Sequence, residues 1–321
     1  MTPAHPTDAG QDTPGRRPSR SRSGVRLVLV ATLVALAVLG AGAALLTARV
    51  DRLALDLHPG PGRTWLLVGL DSRAELPAGA TTAEFGTPEQ VPGARADVVL
   101  VVHEERGRTR TLSVPRDLLV GTTWHRSRLA TSWLDDPQAT VDALCDLGIP
   151  TDHVVTVDLA GFTAVVDAAG GLDLDVPQPV RDPAAGLELP RSGPQHVDGL
   201  TALALVRSRH PENLVGGQWV PAPVDPDGRA SAAGTVLTAL LGAVRSDGWQ
   251  PGRLHEVAWA ASGALSVDRG TSVPDLASLA GTDLSGIEVL PTGVEGTSGL
   301  RRPPTEETAA ALADAGLSCS R

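Results

Sequence analysis

Three groupings of aspartate and arginine recur where apolar runs begin or end. Asp71 and Arg73 follow TWLLVGL, Arg95 and Asp97 open DVVLVV, and Arg116 and Asp117 close TLSVP. Arg207 and Arg209 come later at a helix end, and Arg229 follows a Pro- and Gly-rich loop. A guanidinium is a planar fork that holds two phosphate oxygens at once, so several converging on one place suit a pyrophosphate. Two carboxylates suit Mg2+ (or Mn2+), which takes one or two of them and completes its shell with water and phosphate oxygens. Taken singly, such residues are more often solvated surface charges. Their repetition at element ends is what points to a site.

Other chemistries find little support. The chain has no P-loop, HExxH, CxxC or GxSxG pattern. His103, His125, His153, His196 and His210 show no ligand spacing among themselves. Aromatics make up 2% of the residues, which leaves no stacking platform for single-stranded nucleic acid, and the net charge of −10 repels its phosphates. All 27 basic residues are arginine, a compositional bias in which an Arg may stand where a Lys would serve elsewhere.

The elements that would position these residues follow from pattern. Arg95–Asp117 predicts two buried strands, Asp97–Val102 and Thr111–Val114, joined by a charged turn at Glu105–Arg108. In an antiparallel hairpin the entry of one strand lies beside the exit of the next, so two Arg and two Asp are expected at one sheet edge. Further strands are expected at Thr64–Leu70, His153–Asp158, Leu172–Val176 and Gly286–Leu290. Helices are expected at Asp136–Leu147, Leu159–Ala169, Gly199–Arg209, from Gly228 to about Val244, Pro274–Ala280 and Thr305–Ala315. Ala74–Ala94 reads as a long surface loop. The alternation predicts an α/β fold, a three-layer α-β-α sandwich with a mixed central sheet.

Ahead of it, residues 1–24 read as a disordered cytoplasmic tail, and Val25–Leu46 as one transmembrane helix. A cleavable signal peptide is the competing reading, but the apolar run exceeds a typical signal core. Arg16, Arg17, Arg20, Arg22 and Arg26 flank its start, which places the N-terminus in the cytoplasm and the main domain outside. Those five arginines face only Asp8 and Asp12, so the chain beyond residue 26 carries −13. Residues 47–63 form a connector, 64–250 the main domain, and 251–321 a C-terminal extension packing on it. Cys145 and Cys319 are either a disulfide of an exported domain or two buried thiols. A C-terminal tail with little else to hold it favours the bond.

The ordered set LLVGLDSR, RADVVLVV, TLSVPRD, GFTAVVDAAGGLDLDV, LELPRSGPQHVDGLTALALVRSRH and DGR resembles the LytR–CpsA–Psr family of cell-wall proteins, from about Thr64 to about Val244. The resemblance implies a membrane-anchored, extracytoplasmic phosphotransferase that attaches a polyprenyl-pyrophosphate-linked glycopolymer to peptidoglycan. It implies Mg2+ (or Mn2+) and an apolar pocket for the lipid, between the sheet and the helices at Leu159–Ala169 and Gly199–Val206. Asp71 and Asp97 match the metal-associated positions, and Arg73, Arg95, Arg116, Arg207, Arg209 and Arg229 the pyrophosphate-holding ones. Catalysis is expected of Asp71, Asp97 and Arg116. Asp117 is expected to orient Arg116 or hold a water near the metal. The chain departs from the pattern after Gly228-Arg229, where ASAAG replaces an Arg-Gln-Gln element, and in RSRLATSW, which lacks an Asn. A divergent member is therefore expected, with altered acceptor or weakened transfer. The alternatives are a non-catalytic polyprenyl-phosphate-binding or regulatory paralogue, or a pyrophosphatase acting on the same lipid.

Overall fold

The computed structural model describes residues 40–122, 125–223, 228–246, 251–284, 286–295 and 301–320. The chain divides into residues 1–45 and 46–321. In the first unit, residues 40–45 are helical; the tail 1–24 and most of the expected span lie outside the described residues. Among the described residues, no helix is long and apolar enough to cross a membrane.

In the second unit the elements run β1 (Asp51–Leu53), β2 (Arg63–Ser72), α1 (Thr82–Phe85), β3 (Ala94–Glu105), β4 (Arg108–Ser113), β5 (Leu119–Thr122), β6 (His125–Arg128), α2 (Leu129–Asp135) and α3 (Pro137–Asp146). They continue with β7 (His153–Asp158), α4 (Leu159–Ala168), β8 (Leu172–Val176), β9 (Val180–Asp182), β10 (Leu187–Leu189), β11 (Gly193–Val197), α5 (Gly199–Arg207), β12 (Glu212–Val215) and β13 (Gln218–Pro221). The chain ends with α6 (Gly228–Ser246), α7 (Pro251–Ala264), β14 (Leu265–Asp268), α8 (Val273–Gly281), β15 (Glu288–Val289) and α9 (Glu306–Asp314).

The central sheet is mixed, in the order β1-β14-β7-β2-β3-β4-β15. Alternation along β2 sends Leu66 and Val68 to one face, where they join Leu129, Trp133, Val141, Leu144 and Leu312 of α2, α3 and α9. It sends Trp65 and Leu67 to the other, with Leu237, Leu241, Leu276 and Leu279 of α6 and α8. Helices thus cover both faces, as a three-layer sandwich requires.

The β3–β4 hairpin turns through Arg106 and Gly107, at φ 51° and 77°. Both central residues have positive φ, as the type I′ turn demands, because its twist matches that of the flanking strands. At the other end of β3, pairing with β2 jumps from Gly69↔Val98 to Leu70↔Ala96, leaving Asp97 as the extra residue of a β-bulge. Its effect is a change of parity. Val99 and Val101 share the face of Leu66, and so do Ala94 and Ala96 beyond the bulge. Arg95 and Asp97 therefore emerge on the opposite face, together with Asp71, which is paired in register with Arg95. Without the extra residue they would point into the core beneath α2 and α3.

Several segments differ from the sequence expectation. The connector 47–63 contributes β1, and residues 251–321 place β14 inside the sheet and β15 at its edge rather than only packing beside it. The loop Ala74–Ala94 contains α1, closed by a Thr81–Glu84 capping box. Residues 180–221, read outside α5 largely as loop, hold a second sheet of order β10-β9-β12-β13. Its strands have three or four residues each, too few for a two-residue period to stand out. Cys145 and Cys319 form a disulfide with Cα atoms 5.3 Å apart. The tail is also held by packing, since Leu312 and Leu317 lie in the main core.

Candidate active site

Four element ends converge on the bulged face. From the end of β2, Asp71 and Arg73 form a bidentate ion pair, with Arg73 Nη2 donating to Asp71 Oδ2 at 3.0 Å and Nη1 meeting Oδ1. From the bulge, Asp97 Oδ2 pairs with Arg116 Nη1 and lies 3.6 Å from Arg209 Nη2. The hairpin logic thus holds: the entry of β3 and the exit of β4 meet through Asp97 and Arg116. Arg116 Nε also lies 3.7 Å from Asp117 Oδ1, which takes Arg128 Nη1 at 3.3 Å. Asp117 is buried and holds Arg116 from the side away from Asp97.

The fourth contribution is the end of α5. Asp198 caps its start by accepting the Thr201 N–H at 2.8 Å. A Cβ at Gly199 would stand 2.5 Å from the Thr163 carbonyl oxygen, so only glycine lets α5 lie this close to α4. Its other end is tied down by Asp182, whose carboxylate accepts from Ser208 Oγ (2.8 Å) and from the N–H groups of Arg209 (2.7 Å), His210 (2.8 Å) and Ala184 (3.1 Å). Burial acts to raise the pKa of Asp182, but these bonds outweigh it and hold the group below the usual aspartate value. Asp182 is 1% exposed, so the negative charge that receives the chain after α5 is fixed in place.

Arg207, so positioned, lies with its guanidinium 3.9 Å from the Phe85 ring centroid, and Arg73 reaches the same ring at 5.7 Å. Burial, and then the charge of Arg73, push the Arg207 pKa below its ordinary value, with Asp71 and Asp97 opposing. A cation desolvated beside other cations is one whose surroundings favour an incoming anion. Phe85 also belongs to a small apolar cluster with Leu159 and Leu203, joined by Leu76, Ala80 and Phe162. The arginines therefore border an apolar patch on one side and carboxylates on the other.

Of the residues expected from sequence, Asp71, Arg73, Asp97, Arg116, Asp117, Arg207 and Arg209 form one connected set. Arg95 stands opposite Asp71 in the strand register. Arg229 lies in the first turn of α6, and its side chain falls outside the described residues. Sequence reasoning missed Phe85, Asp182 and Arg128. Phe85 had a faint signal as one of two phenylalanines in the chain. Asp182 had none, because its role exists only where β9 meets the end of α5.

Were a metal to bind here, Asp71 and Asp97 would be its carboxylates, each of which also pairs with an arginine. Asp71 and Asp97 come from adjacent strands and share a face, supplying the number of carboxylates that Mg2+ takes. Among the described residues, no group of three or more His, Cys, Asp or Glu forms a protein cage. An ion at this place would draw the rest of its shell from water and substrate oxygens, which is the habit of Mg2+.

Arginines and paired carboxylates thus meet at the strand ends of a mixed α/β sandwich. The LytR_cpsA_psr family model matches residues 53–218, and the chain belongs to that family. It is 32% identical over 152 residues to the probable cell wall biosynthesis protein LcpB of Corynebacterium glutamicum, covering 46% of this chain and 36% of that protein. It is likewise 32% identical over 138 residues to the polyisoprenyl-teichoic acid–peptidoglycan teichoic acid transferase TagV of Bacillus subtilis, covering 39% of this chain and 35% of the relative. The match thus spans little more than a third of each relative. A solved LytR-Csp2A-Psr enzyme from Actinomyces oris superposes with a TM-score of 0.67 at 36% identity, over 84% of this chain and 97% of that one.

Proposed function

We propose that this chain is an extracytoplasmic phosphotransferase, anchored by Val25–Leu46, that moves a glycopolymer from a polyprenyl-pyrophosphate carrier onto a peptidoglycan hydroxyl. The observation that carries the reading is the meeting of Arg73, Arg116, Arg207 and Arg209 around Asp71 and Asp97, with an apolar patch alongside. The teichoic acid transferase among its relatives supports the substrate class. In this reading the arginines hold the pyrophosphate, and the polyprenyl chain leaves past Phe85, Leu159 and Leu203 between the sheet, α4 and α5.

The acceptor oxygen attacks the glycan-linked phosphorus, and the bond from that phosphorus to the bridging oxygen breaks, releasing polyprenyl phosphate. Arg116 and Arg207 stabilise the charge growing on the leaving phosphate. Asp97 is the better candidate to accept the hydroxyl proton, because Arg73 grips Asp71 with both nitrogens of its fork. A Mg2+ (or Mn2+) ion held by Asp71 and Asp97 would add Lewis-acid polarisation of the phosphoryl oxygens.

A second reading, a polyprenyl-phosphate binder without turnover, draws on α6. Where the resemblance implies an Arg-Gln-Gln element, this helix uses its turn for packing: Ala233 is buried, and a Cβ at Gly234 would stand 2.8 Å from Ile287 Cδ1. The purified full chain, given lipid-linked glycan and peptidoglycan fragments, is expected to release polyprenyl phosphate as glycan appears on the acceptor. Lipid binding with no transfer would select the binder instead. Phosphate release that needs no acceptor would mark a pyrophosphatase.

A further inference from the structure

Of the residues in α1, Phe85 alone is buried. A helix this short has no stability of its own, and local bonds keep it in shape. Thr81 and Glu84 close its start as a capping box, and Gly86 ends it at φ 81°, where a side chain would be strained. Just beyond, the Thr87 N–H donates to Gln90 Oε1 at 3.0 Å. The loop is thus built to set one ring in place. That ring packs with Leu159 of α4 and Leu203 of α5. It also meets two cations, with the guanidinium carbon of Arg207 at 3.9 Å from its centroid and that of Arg73 at 5.7 Å.

We propose that Phe85 is a positioning residue, which holds Arg207 beside Arg73 as a ready cradle for a phosphate group. The inference rests on the pyrophosphate reading above and adds to it the residue that arranges the cradle. Two cations side by side repel, and burial together with the charge of Arg73 lowers the pKa of Arg207. Something must keep the two forks together before an anion arrives. Asp71 restrains Arg73 by meeting both of its terminal nitrogens. Phe85 restrains Arg207, at the end of α5, in a different way. At 3.9 Å the guanidinium carbon is in van der Waals contact with the ring, so the cation is held through its flat face. Its N–H donors lie in its plane and stay available for phosphate oxygens. A carboxylate in the same role would consume those donors. Arg73 contributes a donor as well, since its Nε is buried and has no hydrogen-bond partner among the described residues. An unpaired buried donor is costly until an acceptor meets it. Without the ring, Arg207 is free to swing toward water and away from Arg73, and an anion must then gather the two at its own expense.

The chain has two phenylalanines, Phe85 and Phe162, which makes the ring easy to watch. Full chain produced with para-fluorophenylalanine gives two fluorine lines in NMR, and the Phe85 line is the one missing from a Phe85→Leu chain. Titration with inorganic pyrophosphate, with and without Mg2+, should move the Phe85 line along a saturation curve, while calorimetry gives the dissociation constant. Phe85→Leu keeps an apolar side chain against Leu159 and Leu203 but removes the π face. It should weaken binding about 3–30-fold, the range sustained by a cation on a desolvated ring. Pentafluorophenylalanine placed at position 85 keeps nearly the same shape but reverses the charge of the ring face. It should weaken binding as Leu does, and it carries the test if the Leu chain folds poorly. Wild-type affinity in the pentafluorophenylalanine chain would overturn the positioning role and leave the pyrophosphate reading standing. So would a Phe85 line that stays still while pyrophosphate binds. A wild-type chain that binds no pyrophosphate would overturn the reading and this inference together.

Discussion

Replacing Arg116 by Ala separates the proposed role of this residue in catalysis from its role in the fold. Its side chain is 13% exposed and lies between two carboxylates, Asp97 and Asp117. Removing a partner from a buried ion pair costs about 3–5 kcal/mol when it strands the other charge. Neither carboxylate is stranded here. Asp97 keeps Arg209 at 3.6 Å, and Asp117 keeps Arg128 at 3.3 Å. The expected loss of stability is therefore that of charge-assisted hydrogen bonds, about 1.5–3 kcal/mol. On the proposed mechanism the expected loss of turnover is larger, because Arg116 and Arg207 share the charge of the leaving phosphate and one of the two forks is gone. Deleting one preorganised donor of this kind lowers kcat about 10²–10³-fold, or about 3–4 kcal/mol. Urea unfolding gives the first quantity and release of polyprenyl phosphate the second. Arg116→Lys should recover part of the rate by keeping the charge while losing the fork. A well-folded Arg116→Ala enzyme within about threefold of wild-type kcat would refute the reasoning, since that is under about 1 kcal/mol.

Asp182→Asn keeps the size of the residue that ties down the end of α5 but removes its charge and turns one acceptor into a donor. Stability should fall by about 1.5–3 kcal/mol, and KM for the lipid donor should rise more than kcat falls, as steady-state kinetics will show. His103 is 2% exposed and bonded through Nδ1 to Thr64 Oγ1 at 2.9 Å. Burial pushes its pKa below 6.5, against the raising effect of Glu105, Asp152 and Glu104. The unfolded chain then binds the extra proton first, so the contribution of His103 is complete above about pH 6.5 and declines as pH falls below it. Urea midpoints between pH 7.5 and 5 should drop, and His103→Gln should flatten that drop. Cys145→Ser with Cys319→Ser opens a loop whose ends are 174 residues apart. The chain-entropy model sets the loss at about 5 kcal/mol, and an equilibrium unfolding shift below about 1 kcal/mol would show that α9 is held by packing alone.

Local elements were legible in the residues themselves. The apolar periods placed β2, β3, β7, β8, α3, α4 and α5 to within a few residues, because buried strands and helix faces must repeat at periods of 2 and 3.6. The hairpin turn was legible in Glu105–Arg108, where only a short charged loop with glycine can reverse the chain. That Asp97 and Arg116 lie at the same end of the sheet followed from antiparallel geometry. What required the tertiary structure was every relation between segments distant in sequence. The bulge at Asp97 changes which face Arg95 and Asp97 occupy, and no pattern in RADVVLVV marks the extra residue. Arg207 acquires its place from Phe85, which precedes it by over a hundred residues, and Arg209 from Asp182 on a three-residue strand. Isolated short strands and buried carboxylates have no sequence period, because neighbours assembled by the fold stabilise them rather than their own residues. The chemistry of the site could be guessed from residue types, but its geometry belongs to contacts the chain makes only once folded.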